Sequence, residues 1–384
     1  MAHNDGMKNS SLLGDRIPFI DFTRGVAMIL MAWDHVSMFW NPGHRGGEGL
    51  MGVRTIYLDF TQFILRFITH YCAPIFIFLA GTSLALSTNK RLLRGDKQME
   101  VSSHISKRGT ALILLAAFLE SPAFDNPPLY FGVISCIGLC FIIFSFYRRL
   151  PAPVILTVSI LIIVAHPLLN LDWIPSTSPA GYYLRVIIHE PSFQRYPYVG
   201  LYPIIPWIGV MGLGWCFGTL LSSYDFSKPS KLIKGLVSVG FSLLSLWFIV
   251  RLLNGFGNLV PRSGETLEDW LFVSKYPPDL AFILWTLGGM SLLLALGLIQ
   301  QGREGFTKGV TGAIISFGRV PLFFYLAHLW FYRLRPGWVT RAPFQLDLLT
   351  TAAFWIAGLI ILWRLCLRYE RVKREHPESL LKYI

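Results

Sequence analysis

The chain has 384 residues, 53% hydrophobic and 15% charged, with 12 tryptophans and a mean hydropathy of +0.51. That balance excludes an ordinary soluble fold of this length, which would be more polar. The formal net charge is +12, but the Lys and Arg residues sit in short loops between apolar runs or in the tail from Arg364 to Lys382 with no aromatic-interleaved basic groove, so membrane topology explains the charge and nucleic acid does not.

The start of the chain, residues 1–14, is polar and lacks the positive, apolar and small-residue pattern of a cleaved signal, so the first apolar run is expected to remain as a span. Runs long enough to cross a bilayer follow at 18–40, 60–87, 109–124, 129–147, 153–169, 200–222, 233–254, 278–299, 311–332 and 344–369, roughly ten in all. The third is short and ends at Ser121-Pro122. The expected fold is therefore all-α, a polytopic membrane bundle of about ten transmembrane helices. No internal repeat or Pro-, Gly- or Ser-rich linker divides it, so residues 1–384 read as one integral membrane domain: a short segment 1–15, the bundle 16–369 and a basic tail 370–384.

Charge in the loops sets an expected orientation. Lys90, Arg91, Arg94, Lys97, Lys107 and Arg108 fill one loop; Arg148 and Arg149, then Lys228, Lys231 and Lys234, then Arg303 and Lys308 fill every second loop after it. Those loops and both termini are expected on the cytoplasmic side of the inner membrane. The intervening stretches 170–199 and 255–277 carry Asp172, Glu190, Glu265, Glu268 and Asp269 and are expected outside. Arg333, Arg335 and Arg341 break the pattern, through a miscount of one span or an anionic partner. Pro74, Pro203, Pro206 and Pro321 mark kinks, Gly209, Gly212, Gly214 and Gly218 a close-packing face, and Trp33, Trp40, Trp173, Trp207, Trp270 and Trp338 interfacial anchors. The five cysteines all fall in apolar segments, and Cys136 and Cys140 have helical spacing, so free thiols and no metal are expected.

Ionisable groups inside the spans point to chemistry, because such groups are costly in a bilayer and are kept for function. Asp34 and His35 interrupt the first run, Arg66 and His70 the second, and His328 the ninth. With the topology above they share one depth toward the outer side, where Glu120 closes the third run. Histidine takes and returns a proton near neutrality, or accepts an acyl group. Adjacent residues on a helix point about 100° apart, so Asp34 is expected to serve a group on another span in preference to His35. The plain alternative for His70, His166 or His328 is a buried imidazole bonded to a nearby carbonyl.

Five separated stretches carry a resemblance: 16–35 (RIPFIDFTRGVAMILMAWDH), 66–83 (RFITHYCAPIFIFLAGTS), 201–218 (LYPIIPWIGVMGLGWCFG), 275–289 (KYPPDLAFILWTLGG) and 317–328 (FGRVPLFFYLAH). Together, in order and over nearly the whole chain, they resemble the heparan-alpha-glucosaminide N-acetyltransferase catalytic-domain family in its bacterial branch. The resemblance implies a transmembrane acyltransferase fold in which cytosolic acetyl-CoA, or another acyl-CoA, gives its acyl group to an amine or hydroxyl of a sugar or glycan on the opposite face. It also implies a catalytic histidine near the outer side. His35 falls where the lysosomal enzyme of the family has an amide and His44 lies closer to its histidine, whereas bacterial members show the Asp-His pair and the Thr-His of Thr69-His70. His35 is thus placed first and His44 second, with Asp34 and His70 tuning or orienting the site.

A CoA donor needs cations for its phosphates, and Arg24, Arg319 and Arg108 are the residues expected to supply them. Arg24 has the alternative of a local pair with Asp21 at i, i+3. Arg66, His328, Tyr202 and Trp207 are the candidates for holding the acceptor, Tyr202 and Trp207 by stacking on a sugar. A continuous tunnel from the CoA site to the histidines is the structural requirement. The lipid bilayer is an obligatory partner, and a homodimer is left open. A proton-coupled transporter built on intramembrane Asp and His is the alternative from another class, although no paired half-repeats with broken helices are evident. A member that has lost catalysis and serves as a binding component is the third reading.

Overall fold

The structure, a computed structural model, describes residues 16–194, 199–334, 345–376 and 379. The expectations for residues 1–14, for Arg335, Trp338 and Arg341, and for most of the tail beyond His376 fall outside those residues. Among the described residues the chain is helical, with isolated β-bridges in place of strands.

Pro18 occupies the first turn of α1 (Pro18–Trp40), where its missing N–H costs nothing, and Asn41 followed by Pro42 ends it. Asp59 caps α2 (Phe60–Ile68), its carboxylate accepting from the Gln62 N–H at 2.9 Å. A tight turn, Thr69–Tyr71, joins α2 to α3 (Cys72–Leu93). Then come α4 (Gln98–Leu115), which runs through one π turn at Ala116–Glu120 into α5 (Ser121–Ala123), α6 (Val133–Tyr147), α7 (Ala152–Ala165) and α8 (Pro179–Ile188). The second half holds α9 (Ile204–Ser222), α10 (Ser230–Leu253), α11 (Leu267–Leu271), α12 (Leu280–Gln301), α13 (Gly309–Arg319), α14 (Pro321–Arg333) and α15 (Leu348–Glu375).

Each of the ten apolar runs contains helix, but not always one helix. The run 311–332 is two helices bent by 95°, because Val320 precedes Pro321 and takes a non-helical conformation. The stretches 170–199 and 255–277 contain α8 and α11. Among the described residues five helical segments are long and apolar enough to cross a membrane, Phe60–Leu93, Ile204–Ser222, Ser230–Leu253, Leu280–Gln301 and Leu348–Glu375, or six if the bent pair is one span. Helix α1 carries Asp21, Arg24, Asp34 and His35 and is not among the five.

Helix α1 is the hub, packing on α3, α12, α13, α14 and α15. Close approach is made by small residues, as membrane bundles require. The stripe on α9 serves two neighbours: a Cβ on Gly214 or Gly218 would overlap the Phe78 or Thr82 carbonyl of α3, while Gly209 and Gly212 lie against Ser159 of α7. Gly318 of α13 lies against the Asp21 carbonyl of α1 in the same way. The tryptophans divide. Trp173 is exposed, but Trp33, Trp40 and Trp207 are buried and pack against other rings, Trp33 on Trp355, Trp40 on Phe354 and Trp207 on Tyr202, so these three fill the core instead of anchoring at an interface. Arg333 finds its anionic partner within the chain, at Asp125, with one nitrogen–oxygen distance of 3.2 Å.

Candidate active site

Asp34 and His35 leave α1 in different directions and join separate networks. Asp34 pairs with Arg66 at the end of α2, and the same guanidinium takes Glu48 from the loop 41–59 through Nε and, at 3.0 Å, Nη2. The Thr69 hydroxyl donates to Asp34 Oδ1 at 3.1 Å. Arg66 and Glu48 are buried, and a buried charge is tolerable only when paired in this way. Burial alone would push the Glu48 carboxyl up, but the Arg66 charge overrides it and holds the group down to about 2. The cluster thus ties the loop 41–59 to α1 and α2.

His44, half-buried on that loop, feels the charges of Arg66, Asp34 and Glu48. Burial, with Arg66 adding to it, pushes its imidazole down to about 4, so it is neutral at physiological pH.

His35 meets His328 of α14. Its Nδ1 is 2.7 Å from His328 Nε2, and the rings stack with centroids 5.0 Å apart. His328 Nδ1 is 2.9 Å from the Phe324 carbonyl oxygen. A carbonyl only accepts, so His328 Nδ1 carries the proton, and in the neutral pair His328 Nε2 accepts from the N–H at His35 Nδ1. His35 Nε2 is then left with its lone pair. His328 is fully buried and His35 partly open, so of the two imidazoles His35 is the one with an accessible face.

His70 stands apart from both networks. It is 2% exposed, its two ring nitrogens have no hydrogen-bond partner among the described residues, and it packs against Phe67 and Phe282. Trp207 is fully buried, with no partner for its indole nitrogen among the described residues, which leaves it no face for a sugar. Tyr202 is half-buried and packs edge-on to Tyr276.

Two cavities meet at Arg24, Ser83 and Arg319. The larger, of about 670 Å³, has Arg16, Arg24, Lys90 and Arg319 in its walls beside Asp21 and Asp225. The narrower, of about 290 Å³, adds Arg108 and Lys373 at one end and continues between Met28, Phe76, Ile137 and Phe141 to Tyr325, Val133 and Ile134. Arg24 is held by Asp21 at 3.1 Å, Ser83 Oγ at 2.8 Å and the Gly318 carbonyl at 3.0 Å, so the local Asp21 pair exists and leaves Arg24 in the cavity wall. Arg108 Nε and Arg319 Nε are buried donors without an acceptor among the described residues. A phosphate-bearing ligand fits such a mouth.

The narrow cavity reaches Tyr325, whose ring lies 6.3 Å edge-on from His35 and whose hydroxyl donates to Glu120 Oε1 at 2.6 Å; neither cavity has His35, His44 or His328 in its walls, so the continuous tunnel expected from the sequence stops short of the histidines at that ring. Glu120 is fully buried at the end of the π turn, a feature that recurs at functional sites.

Glu48, Lys275 and Tyr325 went unassigned in the sequence reading. Glu48 is an acid between glycines in a loop too polar to be a span. Lys275 is a single cation directly before an apolar run. Both were visible as charges out of place, whereas nothing in the run 311–332 marks Tyr325 except its i, i+3 spacing from His328.

Among the described residues the chain is an all-helical protein with helices of membrane length, a histidine pair and a cavity lined by arginines beside it, the architecture of an integral membrane protein with an internal polar site. The family model described as "Heparan-alpha-glucosaminide N-acetyltransferase, catalytic" matches residues 16–252, more than half of the chain, and the protein belongs to that family of membrane acyltransferases. No curated protein matches the chain. The matched residues include Asp34, His35, His44, Glu48, Arg66 and Glu120, while Lys275, Tyr325 and His328 lie beyond them and meet them through the fold.

Proposed function

We propose that the protein moves an acetyl or related acyl group from cytosolic acyl-CoA to an amine or hydroxyl of a sugar or glycan on the extracytoplasmic side of the inner membrane. The observation that carries the reading is the junction at Tyr325: a cavity with cations at its mouth ends one aromatic ring from His35, whose Nε2 holds a lone pair. Arg24, Arg108 and Arg319 bind the phosphates, and the narrow cavity takes the pantetheine arm, as its apolar walls suit. His35 removes the proton from the acceptor as it attacks the thioester, or takes the acyl group first; both use Nε2. His328 positions His35, and the Asp34–Arg66–Glu48 cluster fixes the loop that carries His44. About ten crossings with both termini cytoplasmic is the arrangement supported by the ten helix-containing runs and the charge of their loops. No observation favours proton-coupled transport.

The test is reconstitution into vesicles with labelled acetyl-CoA supplied on one side and a panel of amino sugars on the other. Label appearing on the acceptor across the bilayer is expected. Acetyl-CoA that neither binds nor turns over in the purified protein refutes the reading.

A further inference from the structure

The loop before α12 closes over the same site from the outer side. The Lys275 N–H donates to the Glu48 carbonyl at 2.9 Å, the Ser274 hydroxyl to the Gly49 carbonyl at 2.9 Å, and the Met51 N–H to the Tyr276 carbonyl at 2.9 Å. Gly49 has φ of +68°, and a Cβ there would overlap Ser274, so the two loops interlock through a glycine that a larger residue cannot replace without strain. This seam fixes Lys275, 4% exposed, beside Glu48, which shares the Arg66 guanidinium with Asp34, the chain neighbour of His35.

The cations of the site differ in what they already hold. Arg66 is saturated by Asp34, Glu48 and Thr69. Arg24, Arg108 and Arg319 line the two cavities instead. Lys275 makes no side-chain hydrogen bond or ion pair among the described residues. Its Nζ is held instead over aromatic faces, 5.2 Å from the Tyr276 centroid and 6.0 Å from that of Tyr202, an attraction that steadies an ammonium without occupying its N–H donors. Three donors therefore remain available on a buried ammonium, at the seam that adjoins the Asp34–Arg66–Glu48 cluster.

We infer that Lys275 is the oxyanion-stabilising residue of the transfer, an assignment that rests on the acyltransferase reading and adds to it the group that holds the developing negative charge. The acceptor nitrogen or oxygen forms a bond to the thioester carbon as its proton passes to His35 Nε2. The C=O electron pair moves to oxygen, and the resulting oxyanion is held by an N–H of the Lys275 ammonium. Collapse re-forms C=O and breaks C–S; the thiolate leaves with the electron pair and takes the proton from His35. Preorganised donors at such an oxygen act in the transition state far more than in the ground state.

The experiment compares wild type, Lys275→Met and Lys275→Gln in detergent, with acetyl-CoA binding as the check that each variant is folded. The expected result is a fall in kcat of about 10²–10³-fold with acetyl-CoA affinity and acceptor KM unchanged. A folded variant with wild-type kcat overturns the assignment of Lys275, as does a loss confined to acceptor KM, which would make Lys275 a substrate-binding group. A wild-type protein that binds acetyl-CoA but transfers nothing overturns the acyltransferase reading itself, a different outcome from either of these.

Discussion

Replacing His328 with phenylalanine keeps an aromatic ring in a fully buried position and removes the acceptor that fixes the proton on His35 Nδ1. The bond lost is the 2.7 Å contact between the two imidazoles. A neutral hydrogen bond of this kind has a net worth of about 0.5–1.5 kcal/mol, and without it His35 can carry its proton on Nε2, where the base is silent, or turn its ring away from the cavity. At about 1.4 kcal/mol per tenfold, the tautomer term alone gives up to roughly tenfold, and loss of ring orientation brings the total to the 10–100-fold seen when an orienting partner is removed. The assay is release of free CoA from acetyl-CoA in the presence of a working acceptor, with acetyl-CoA binding measured alongside. His328→Phe should lose about 10–100-fold in kcat and bind acetyl-CoA as wild type does. His328→Gln, whose amide oxygen can accept from His35 Nδ1–H, should recover part of the loss. Wild-type kcat in His328→Phe would refute the tautomer argument, since the contact to His328 is the only hydrogen bond made by the His35 ring among the described residues.

The remaining predictions test the frame around that pair. Arg24→Gln and Arg319→Gln should each raise KM for acetyl-CoA by roughly tenfold, the size of one charge-assisted phosphate contact, with kcat little changed. Glu48→Gln breaks a buried pair and leaves Arg66 short of a partner, a loss of about 3–5 kcal/mol that should appear as a lower melting temperature in detergent. Stability should also fall in acid in two stages: His44, depressed to about 4, contributes stability that is complete above its unfolded value near 6.5 and is lost as pH falls toward 4. Glu48, depressed to about 2, contributes above its unfolded value near 4.5 and is lost as pH falls toward 2; melting curves of wild type, His44→Gln and Glu48→Gln against pH separate the two. Gly318→Val should fail to fold or melt much lower, because α13 meets the Asp21 carbonyl of α1 at that residue.

What the sequence made legible follows from physics that acts locally. Runs of apolar residues become helices wherever they occur, and Asp34, His35, Arg66 and His328 stood out because charge and imidazole are conspicuous inside them. The angular argument that separates Asp34 from His35 needs only the helical repeat, and the two residues do join different networks. Pairings across the chain were not legible in the same way. Nothing near His35 names His328 as its partner, 293 residues away, and nothing near Arg66 names Glu48, which sits in a Gly-rich loop that reads as a connector. Trp207 was misjudged for a related reason: an aromatic at the start of an apolar run has the same sequence signature whether it faces an interface, a ligand or the core, and only packing from α12 and Tyr202 decides. The break at Val320 was signalled by Pro321, but the size of the bend depends on where α14 finds room against α1 and α15.

The central claim is that His35 is the group through which an acyl unit passes from CoA to an acceptor. Its most direct test is transfer of labelled acetyl from acetyl-CoA to amino sugars by purified wild type, His35→Ala and His44→Ala. Transfer by wild type, abolished in His35→Ala and reduced but present in His44→Ala, is the predicted result; transfer that survives in His35→Ala and vanishes in His44→Ala would contradict it and move the base to the loop.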